Sequence, residues 1–545
     1  MKHPFAFMPA FMLGFVALST LSVAMAQTND GFPFSVEVIP VSIPDLPGIH
    51  SFAQAQHDGK WLIVGGRLDG LHARQPFNAF PAGSNNTFMM VVDIAAATVH
   101  TASVDALTPE VAEQLQSSNI NFHQVGDVLY LAGGYAYSAT AGDHITHPRL
   151  TALSVSGFVD AILQGGSFEG LYDSVEDDFF AVTGGHLHSL GDQLALVGGH
   201  RFDGRYNPMN HPTFTQEYTN AVRLFTASFS SGTLDAGAFD SWNDDVHLHR
   251  RDYNLLPYKT SDGTAGLTLF SGVFQLNADL PYLYPVSITE EGHEPVMEFN
   301  QYLSQYHSAC ASLYSDDSGQ THSLFFGGMS QFHYDENDQL VEDDLVPFVR
   351  TISRVVRNSD GSFEEFRLPA EMDGLLGAGA GFFHAENLPM DAASDLVLMD
   401  ELADEAITLG YIVGGINSSQ SNPFSVNQTS STEASSTVYK VHLTPTSSTG
   451  ETAVLREPTH EFTVYPNPSD GDAQIEFELS LPTTIDLLVT DAKGSLVTNA
   501  SLGTMPAGTN FINLQDVKDF AGQSLVVTLV FGDRHYASQQ LLVLE

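Results

Sequence analysis

The sequence predicts an all-β protein with two β units, a large one followed by a small one. A short β-prone run that ends in two small residues recurs six times before residue 444. Alternating β patterns resume after a polar stretch beyond that point. The chain has 545 residues and is 43% hydrophobic, which is enough to bury more than one core.

The six copies of the run share an apolar strand and a closing glycine pair, which is Ser-Gly in the fourth copy. They are KWLIVGG (60–66), VLYLAGG (128–134), QLALVGG (193–199), GLTLFSG (266–272), HSLFFGG (322–328) and LGYIVGG (409–415). Glycine at a strand end permits a sharp exit or a close backbone approach. One strand precedes each copy across a polar turn, and one or two follow it. Each copy therefore predicts a four-stranded antiparallel unit. The Gly-Gly pair at 184–185 lacks the apolar run and is not counted.

This pattern resembles the kelch repeat, in which a hydrophobic strand ending in Gly-Gly is the second strand of a propeller blade. The resemblance covers about residues 34–444, although the downstream Tyr and Trp of kelch repeats are mostly missing. It implies a six-bladed kelch-like β-propeller over residues 27–444. In the sixth copy, an acidic insertion (389–406) separates the first strand from the Gly-Gly strand.

The segment FSVEVIPVSI (34–43) precedes the first copy and has no unit of its own. We expect it to pair with STVYKVHL (436–443) in the sixth blade, which would close the ring without an open strand edge. The side chains expected on its buried face are Phe34, Val36, Val38 and Pro40.

Beyond Leu443 the composition changes. Residues 445–459 are polar and predict a linker. Residues 460–545 carry alternating strands joined by Asp-Gly and Lys-Gly turns, which predict a small C-terminal β-sandwich.

The C-terminal segment closely resembles the type A sorting domain that Bacteroidota use for the type IX secretion system. The residues that carry the match are Tyr465, Pro466, Asn467, Pro468, Gly471, Asp491, Gly494, Gly508 and Gly522. The sequence departs from the family at Gln523, where Tyr is usual, and at Glu545, where Lys is common. The resemblance implies that the secretion machinery is a partner of this segment.

The N-terminus predicts the first export step. Residues 1–26 have an early lysine, an apolar stretch and the small-x-small ending Ala24-Met25-Ala26, which is typical of a cleaved signal peptide. No later run is apolar enough to predict a transmembrane segment. We therefore expect a protein that passes through the periplasm and is secreted or held at the cell surface.

The charge excludes nucleic acid as a partner. Asp and Glu number 65 and Lys and Arg number 20, which gives a formal net charge of −45. Such a surface repels phosphate backbones. Cys310 is the single cysteine, so neither an intramolecular disulfide nor a four-cysteine zinc site can form.

Histidine precedes every Gly-Gly strand, and arginines accompany it in the fourth unit. The candidate ligand-binding residues at the channel mouth are His50, His123, His188, His249, Arg250, Arg251, His307 and His384. Histidine binds metals and titrates near neutral pH, and arginine binds carboxylate or sulfate. The alternative is structural: histidines that bond the neighbouring unit's backbone, and arginines that pair with the abundant acids.

The acidic stretch DENDQLVEDD (335–344) is a candidate calcium loop. Its oxygen ligands would be Asp335, Asp338, Glu342, Asp343 and Asp344. It lacks the glycine and spacing of an EF-hand loop, so a solvated hairpin tip is the alternative. Calcium is the one cofactor that the sequence offers.

The sequence favours a noncatalytic binding module for a glycan, a peptide or a surface protein. The alternative is a secreted carbohydrate-active enzyme (an oxidase, an epimerase or a hydrolase) with its site at the channel mouth. Motifs such as a P-loop, a Gly-x-Ser-x-Gly elbow or His-Glu-x-x-His do not occur.

Overall fold

The computed structural model describes residues 32–544, except for 76–77, 208–212, 392–393, 448, 455–459 and 516. The predicted signal peptide (1–26) lies outside the described residues. Strands dominate the described chain, which confirms the all-β class. Among these residues no helix is long and apolar enough to cross a membrane.

Residues 34–176 form the first strand and two antiparallel sheets, called sheets I and II. The first strand is β1 (Phe34–Val41). Sheet I contains β2 (Ala53–His57), β3 (Lys60–Val64), β4 (Phe88–Asp93) and β5 (Thr98–Ser103), followed by α1 (Pro109–Gln114). The next region contains β6 (Asn121–Val125), β7 (Val128–Ala132), the hairpin of β8 (Tyr135–Ser138) and β9 (Asp143–Thr146), β10 (Arg149–Ser154), α2 (Val155–Gln164) and β11 (Tyr172–Glu176). Sheet II has the order β6-β7-β10-β11.

Sheets III and IV follow the same plan. Sheet III contains β12 (His186–Leu190), β13 (Gln193–Val197), a hairpin of β14 (His200–Gly204) and β15 (Phe214–Tyr218), β16 (Ala221–Ser230) and β17 (Thr233–Asn243). Its order is β12-β13-β16-β17, with the hairpin as a separate sheet. Sheet IV contains β18 (Asn254–Lys259), β19 (Ala265–Phe270), β20 (Val286–Thr289) and β21 (Gly292–Pro295) in sequence order.

Sheets V and VI complete the N-terminal unit. Sheet V contains β22 (Ala309–Ser315), β23 (Gln320–Phe326), a hairpin of β24 (Phe332–Tyr334) and β25 (Leu340–Glu342), β26 (Thr351–Arg357) and β27 (Phe363–Glu371). The remaining strands are β28 (Leu375–Leu376), β29 (Ala380–His384), β30 (Met390–Asp391), β31 (Leu396–Leu398), β32 (Ile407–Gly414), β33 (Ile416–Ser418), β34 (Thr432–Ala434) and β35 (Val438–Pro445). Sheet VI has the order β29-β32-β35-β1.

In five of the six sheets the strand that ends in the glycine pair, or in Ser-Gly, is the second strand, as the repeats predict. In sheet V it follows β22 in the same way, but β30 and β31 extend the sheet beyond β22. The six glycine-ended strands are β3, β7, β13, β19, β23 and β32. In β3 the four consecutive residues Trp61–Val64 are buried, because both faces of the strand are covered. Gly66 has a φ of +87°, and a Cβ there would lie 2.7 Å from the His50 carbonyl oxygen. The glycine pair is thus required at the end of β3, because the backbone there passes close to His50, which lies just ahead of the first strand β2.

The first strand of the chain completes the last sheet. β1 pairs antiparallel with β35 along its whole length, from Phe34 opposite Pro445 to Val41 opposite Val438. The predicted closure pairing is therefore confirmed. Phe34 is buried and Val36 and Val38 are half-buried in the core of sheets V and VI. Pro40 is exposed, so its predicted burial is wrong, whereas the next residue, Val41, packs against the core between sheets I and VI.

One residue just ahead of each first strand has a left-handed backbone. These six ring residues, with their φ angles, are Ser51 (55°), Asn119 (52°), Gly184 (65°), Asp252 (52°), His307 (52°) and Gly379 (81°). Backbone hydrogen bonds join them in succession: Asn119 N to Ser51 O (2.9 Å), Gly184 N to Asn119 O (3.4 Å), Asp252 N to Gly184 O (2.7 Å), Gly379 N to His307 O (2.8 Å) and Ser51 N to Gly379 O (2.8 Å). At the remaining junction His307 Nδ1 lies 3.9 Å from Asp252 Oδ1. Five of the six junctions between successive ring residues are therefore backbone hydrogen bonds.

The predicted linker (445–459) needs a correction in its described part. Thr452–Ala453 form a strand, β36, that pairs with β27 at the outer edge of sheet V. Arg354 of β26 is fully buried, and its guanidinium donates to the Glu451 carboxylate. A buried arginine needs an opposite charge. The segment that carries Glu451 therefore packs on sheet V instead of extending into solvent.

The C-terminal unit consists of two sheets around one core. Its strands are β37 (Phe462–Tyr465), β38 (Ala473–Leu479), β39 (Thr483–Asp491), β40 (Leu496–Met505), β41 (Gly508–Leu514), β42 (Ser524–Phe531) and β43 (His535–Leu542). The sheets have the orders β37-β38-β41 and β40-β39-β42-β43, with buried apolar side chains between them.

The C-terminal unit packs against the N-terminal unit. Leu488, Val530 and Tyr536 join the buried cluster of sheets III and IV. The Tyr536 hydroxyl donates to Gln275 Oε1 at 2.8 Å, and Gln275 Nε2 donates to the Asp533 carbonyl at 2.7 Å. Each unit has its own core, and a smaller apolar contact joins them.

Removal of β1 tests the closure of the last sheet. Deletion of residues 27–43 exposes the edge of β35 and removes Phe34 from the core. We expect a lower melting temperature and new protease cleavage within 409–444, while sheets I to V persist because each packs mainly on its neighbours. The control is Pro40→Ala, at the exposed position of the same strand. If the shortened chain melts and digests like the control, β1 does not close the sheet.

Candidate functional site: the central cavity

One cavity of about 1330 Å³ is bordered by the first strands of all six sheets. These strands are β2, β6, β12, β18, β22 and β29. The cavity extends from the ring residues Ser51, His307 and Gly379 to the hairpin turns at the other end of the strands, such as Asp58-Gly59. Ligand cavities of proteins are commonly a few hundred to about a thousand Å³. The cavity is therefore large enough for a polar ligand made of several linked units.

The lining combines aromatic rings with neutral hydrogen-bonding groups. Trp61 and Phe383 stack with centroids 4.6 Å apart, and Phe382 stacks on Phe326 at 5.9 Å. Two buried polar atoms in the lining, Gln54 Oε1 and His384 Nε2, have no hydrogen-bond partner in the protein. Such atoms cost free energy unless water or a ligand bonds them.

Cys310 on β22 also lines the cavity. Burial raises the pKa of its thiol to about 12, so the thiol is protonated and a poor nucleophile.

The acidic insertion of sheet VI lies at the mouth of the cavity, between β29 and β32 as predicted. Its strand β31 pairs in parallel with β22 of sheet V, through Leu313 and Val397. Lys259 Nζ of sheet IV donates to Asp391 Oδ2 at 2.9 Å. The insertion is therefore held to sheets IV and V.

Asp395 of the insertion lies near two stacked histidines. His123 on β6 and His188 on β12 have ring centroids 4.3 Å apart. His123 Nε2 lies 3.8 Å from Asp395 Oδ2 and 2.9 Å from Ser189 Oγ. Burial lowers the pKa of both histidines, that of His123 well below its usual value. Both rings are therefore neutral at pH 7.

The structure brings together only part of the predicted histidine and arginine set. His123, His188, His307 and His384 line the cavity. His50, His249, Arg250 and Arg251 lie outside its described lining. The histidines occur at different places along their strands, so they do not form one ring on one face. Sequence spacing placed them before the Gly-Gly strands but did not fix their positions relative to the ring residues.

Arg250 is a structural residue, and its predicted place at the channel mouth is wrong. It is fully buried, with its guanidinium 4.1 Å and 4.5 Å from the ring centroids of Tyr282 and Tyr284. It donates to the carbonyls of His247, Ser271 and Tyr284. These contacts hold sheet IV to its own loops.

Arg251 and His249 also have protein partners. Arg251 pairs with Asp252 at 2.7 Å and donates to the Tyr218 hydroxyl at 3.1 Å. His249 stacks on Tyr218 at 3.9 Å, and its Nδ1 lies 2.9 Å from Asn220 Oδ1. The structural alternative for these residues fits the contacts.

The acids of the candidate calcium loop do not converge. Asp335 accepts the backbone N–H groups of Asn337 and Gln339 in the β24–β25 turn. Asp338 pairs with Arg367, and Glu342 pairs with Arg534. Asp343 accepts from the Leu345 N–H, and Asp344 from Gln331 Nε2. Glu342 and Asp344 share the Gln331 amide as a donor, and the other three carboxylates have separate donors, which fits the hairpin-tip alternative better than a shared ion.

The sorting-motif residues build turns in the C-terminal unit. Asn467 bonds β43 twice, by donating to the Gln540 carbonyl (2.6 Å) and accepting from the Leu542 N–H (3.0 Å). Asp491 Oδ1 accepts the N–H groups of Lys493 and Ser495. Gly494 has a φ of +78°, and its carbonyl accepts from the Asp245 N–H at 2.8 Å. The Asp-x-x-Gly turn therefore also contacts the N-terminal unit.

Tyr465, Pro466, Pro468 and Gly471 lie at the end of β37 and in the loop that follows. Residues 463–521 match the family model of the secretion system C-terminal sorting domain. The C-terminal unit carries a secretion sorting domain. This domain directs the chain to the cell surface or the extracellular space, and the secretion machinery is its partner.

No curated protein sequence matches the chain significantly. Among solved structures, YjhT is 10% identical, with a TM-score of 0.41, over 76% of this chain and 99% of that chain. A glycoside hydrolase family 43 arabinoxylan arabinofuranohydrolase from Bacillus subtilis is 8% identical, with a TM-score of 0.28, over 91% and 94%. Latent PorU from Porphyromonas gingivalis is 8% identical, with a TM-score of 0.15, over 78% and 32%. These TM-scores are too low for the similarity to solved structures to define the fold, which is defined by the strand pairing.

The burial of His384 predicts a pH dependence of stability. Burial lowers its pKa from 6.5 to about 4. Between pH 4 and pH 6.5 the unfolded chain binds a proton at this histidine and the folded chain does not. The stability that is present above pH 6.5 is therefore lost as the pH falls towards 4. We expect the wild type to lose about 2 kcal/mol more stability from pH 7 to pH 5 than His384→Gln. Thermal melts across this range measure it, with the exposed His100→Gln as the control. Equal slopes for His384→Gln and the control would contradict the prediction.

Proposed function

We propose that this exported chain is a noncatalytic binding protein: a six-bladed kelch-like β-propeller (27–444) that binds a glycan in its central cavity. The C-terminal unit (460–545) is a β-sandwich that serves export. The observation that carries the proposal is the shared cavity, bordered by the first strand of every sheet.

Three features support six blades. Each sheet has the glycine-ended strand directly after its first strand, each is preceded by one left-handed ring residue, and the last sheet is completed by the first strand of the chain. Radial repetition with this kind of closure protects the strand edges. The same arrangement places six first strands around one axis, which accounts for the single central cavity.

The lining supports a glycan in preference to a peptide or a flat protein surface. A concave site encloses a small ligand, whereas protein partners usually require a broad surface. Aromatic side chains such as Phe382 offer apolar faces, and Gln54 Oε1 and His384 Nε2 offer unpartnered polar atoms. A glycan presents hydroxyl donors and apolar ring faces together, which matches this mixed lining.

A glycan array followed by calorimetry tests the binding. The full exported chain should bind a subset of glycans, and His384→Ala and Gln54→Ala should weaken binding about 10- to 100-fold through the loss of one hydrogen bond each. The matched control is His100→Ala, an exposed histidine on β5. Failure to bind any glycan, or equal affinity in all three variants, would sink the proposal. Chemical conversion of a bound glycan would instead support the carbohydrate-active enzyme.

Deletion of residues 460–545 tests the export role. The shortened chain should accumulate in the periplasm, because the matched sorting segment is absent. Its sheets should still fold, with some loss of melting temperature from the exposed contact of Tyr282 and Tyr284. As the complement, fusion of 460–545 to a periplasmic carrier should send the carrier outside the cell. Normal export of the shortened chain would show that the domain is not required.

A further inference from the structure

His123, His188 and Asp395 form a two-histidine, one-carboxylate group at the cavity mouth. One ligand atom from each lies within 4.8 Å of the other two. In the part of the chain that the structure describes, no other group of three such side chains comes as close. The residues come from sheets II and III and from the insertion of sheet VI, so the fold and not local sequence assembles them.

We propose that these three residues bind a divalent first-row transition metal ion, with Zn²⁺ as the best candidate. Imidazole nitrogen suits Zn²⁺, Cu²⁺, Fe²⁺ and Ni²⁺, whereas Ca²⁺ and Mg²⁺ prefer oxygen ligands. This proposal deepens the proposed function, since the ion would occupy the lining of the same cavity. Metal binding itself does not rest on the proposed function; only the effect of the ion on ligand binding does.

The surroundings of His188 prepare it for a metal. Its Nδ1 lies 3.0 Å from the Ser189 carbonyl oxygen. A carbonyl can only accept, so Nδ1 carries the proton and Nε2 has the free lone pair. Metal-binding histidines commonly donate their second ring nitrogen to a backbone carbonyl in this way, which fixes the ring.

The remaining two ligands differ in freedom of movement. His123 is fixed by its strand and by stacking on His188. Its Nε2 lies 2.9 Å from the Ser189 hydroxyl oxygen. When the ion binds Nε2, that hydroxyl must turn away or itself become a ligand of the ion. Ligand atoms of a tetrahedral zinc site lie about 3.3 Å apart, which follows from bonds of about 2 Å. Asp395, whose side chain is 56% exposed, can move inward to close the difference.

Three protein ligands leave at least one coordination position for another group. Because the three side chains line the cavity, a hydroxyl or carboxylate oxygen of a bound glycan can take that position. The ion would then fix one end of the ligand at the mouth, next to the insertion.

Metal titration of the full chain, stripped with a chelator, tests the site. We expect one equivalent of Zn²⁺ by calorimetry and a visible absorption band with one equivalent of Co²⁺. His188→Ala and Asp395→Asn should weaken Zn²⁺ binding by about 100-fold or more, since even outer partners of metal ligands contribute about 10- to 100-fold. His100→Ala is the matched control. Asp395→Asn changes an exposed loop residue, so a loss of metal binding in this variant cannot be attributed to misfolding.

Absence of Zn²⁺ and Co²⁺ binding, or binding that survives in both ligand variants, would overturn the proposal. Glycan binding measured with and without chelator separates the two proposals. Glycan binding without metal binding rejects the metal site alone. Metal binding without glycan binding supports the metal site and rejects the proposed function.

Discussion

The eight residues of β1 lie beside β35 from end to end, and the last sheet depends on this pairing. Without it the last sheet would have three strands, and β35 would present an unpaired edge. Backbone hydrogen bonds join the ring residues at five of their six junctions, and the Asp252–His307 junction has a 3.9 Å side-chain contact. The bond from Ser51 N to the Gly379 carbonyl joins sheet I to sheet VI, the sheet that β1 completes.

The cavity follows from the same constraint. Six first strands around one axis leave a space that their side chains only partly fill. Burial then acts on the polar groups left there: it keeps histidines neutral and raises the pKa of the Cys310 thiol. The buried cations Arg250 and Arg354 are enclosed by aromatic rings and carbonyls or by Glu451. The cavity lining combines neutral hydrogen-bonding groups with charged side chains, which are Asp58, Lys60, Asp93, Glu386, Asp391 and Asp395.

Local patterns predicted the strands well, because burial of a short strand and the glycine at its end are encoded within a few residues. The Gly-Gly strands and the pairing of β1 could both be predicted from the sequence. The ring residues could not, since Ser, Asn, Gly, Asp and His share only tolerance of a left-handed backbone. Gly184 was set aside as a failed repeat, although it is one of the six ring residues.

The site was less predictable, because it depends on contacts between distant segments. The path of the insertion across the cavity is set by β31 pairing with β22 and by Lys259, neither of which is close in sequence. Asp395 therefore could not be associated with His123 and His188 beforehand. Arg250 was misplaced for a different reason: its side chain turns into sheet IV, although Asp252, two residues later, is a ring residue.

Hydrogen exchange of the full chain, followed by mass spectrometry, tests the central claim most directly. If β1 closes the ring of sheets, amides of residues 34–41 should be protected as strongly as those of 438–445, because the two strands open together. Exchange of 34–41 within seconds, with 438–445 and 407–414 still protected, would contradict the closed arrangement.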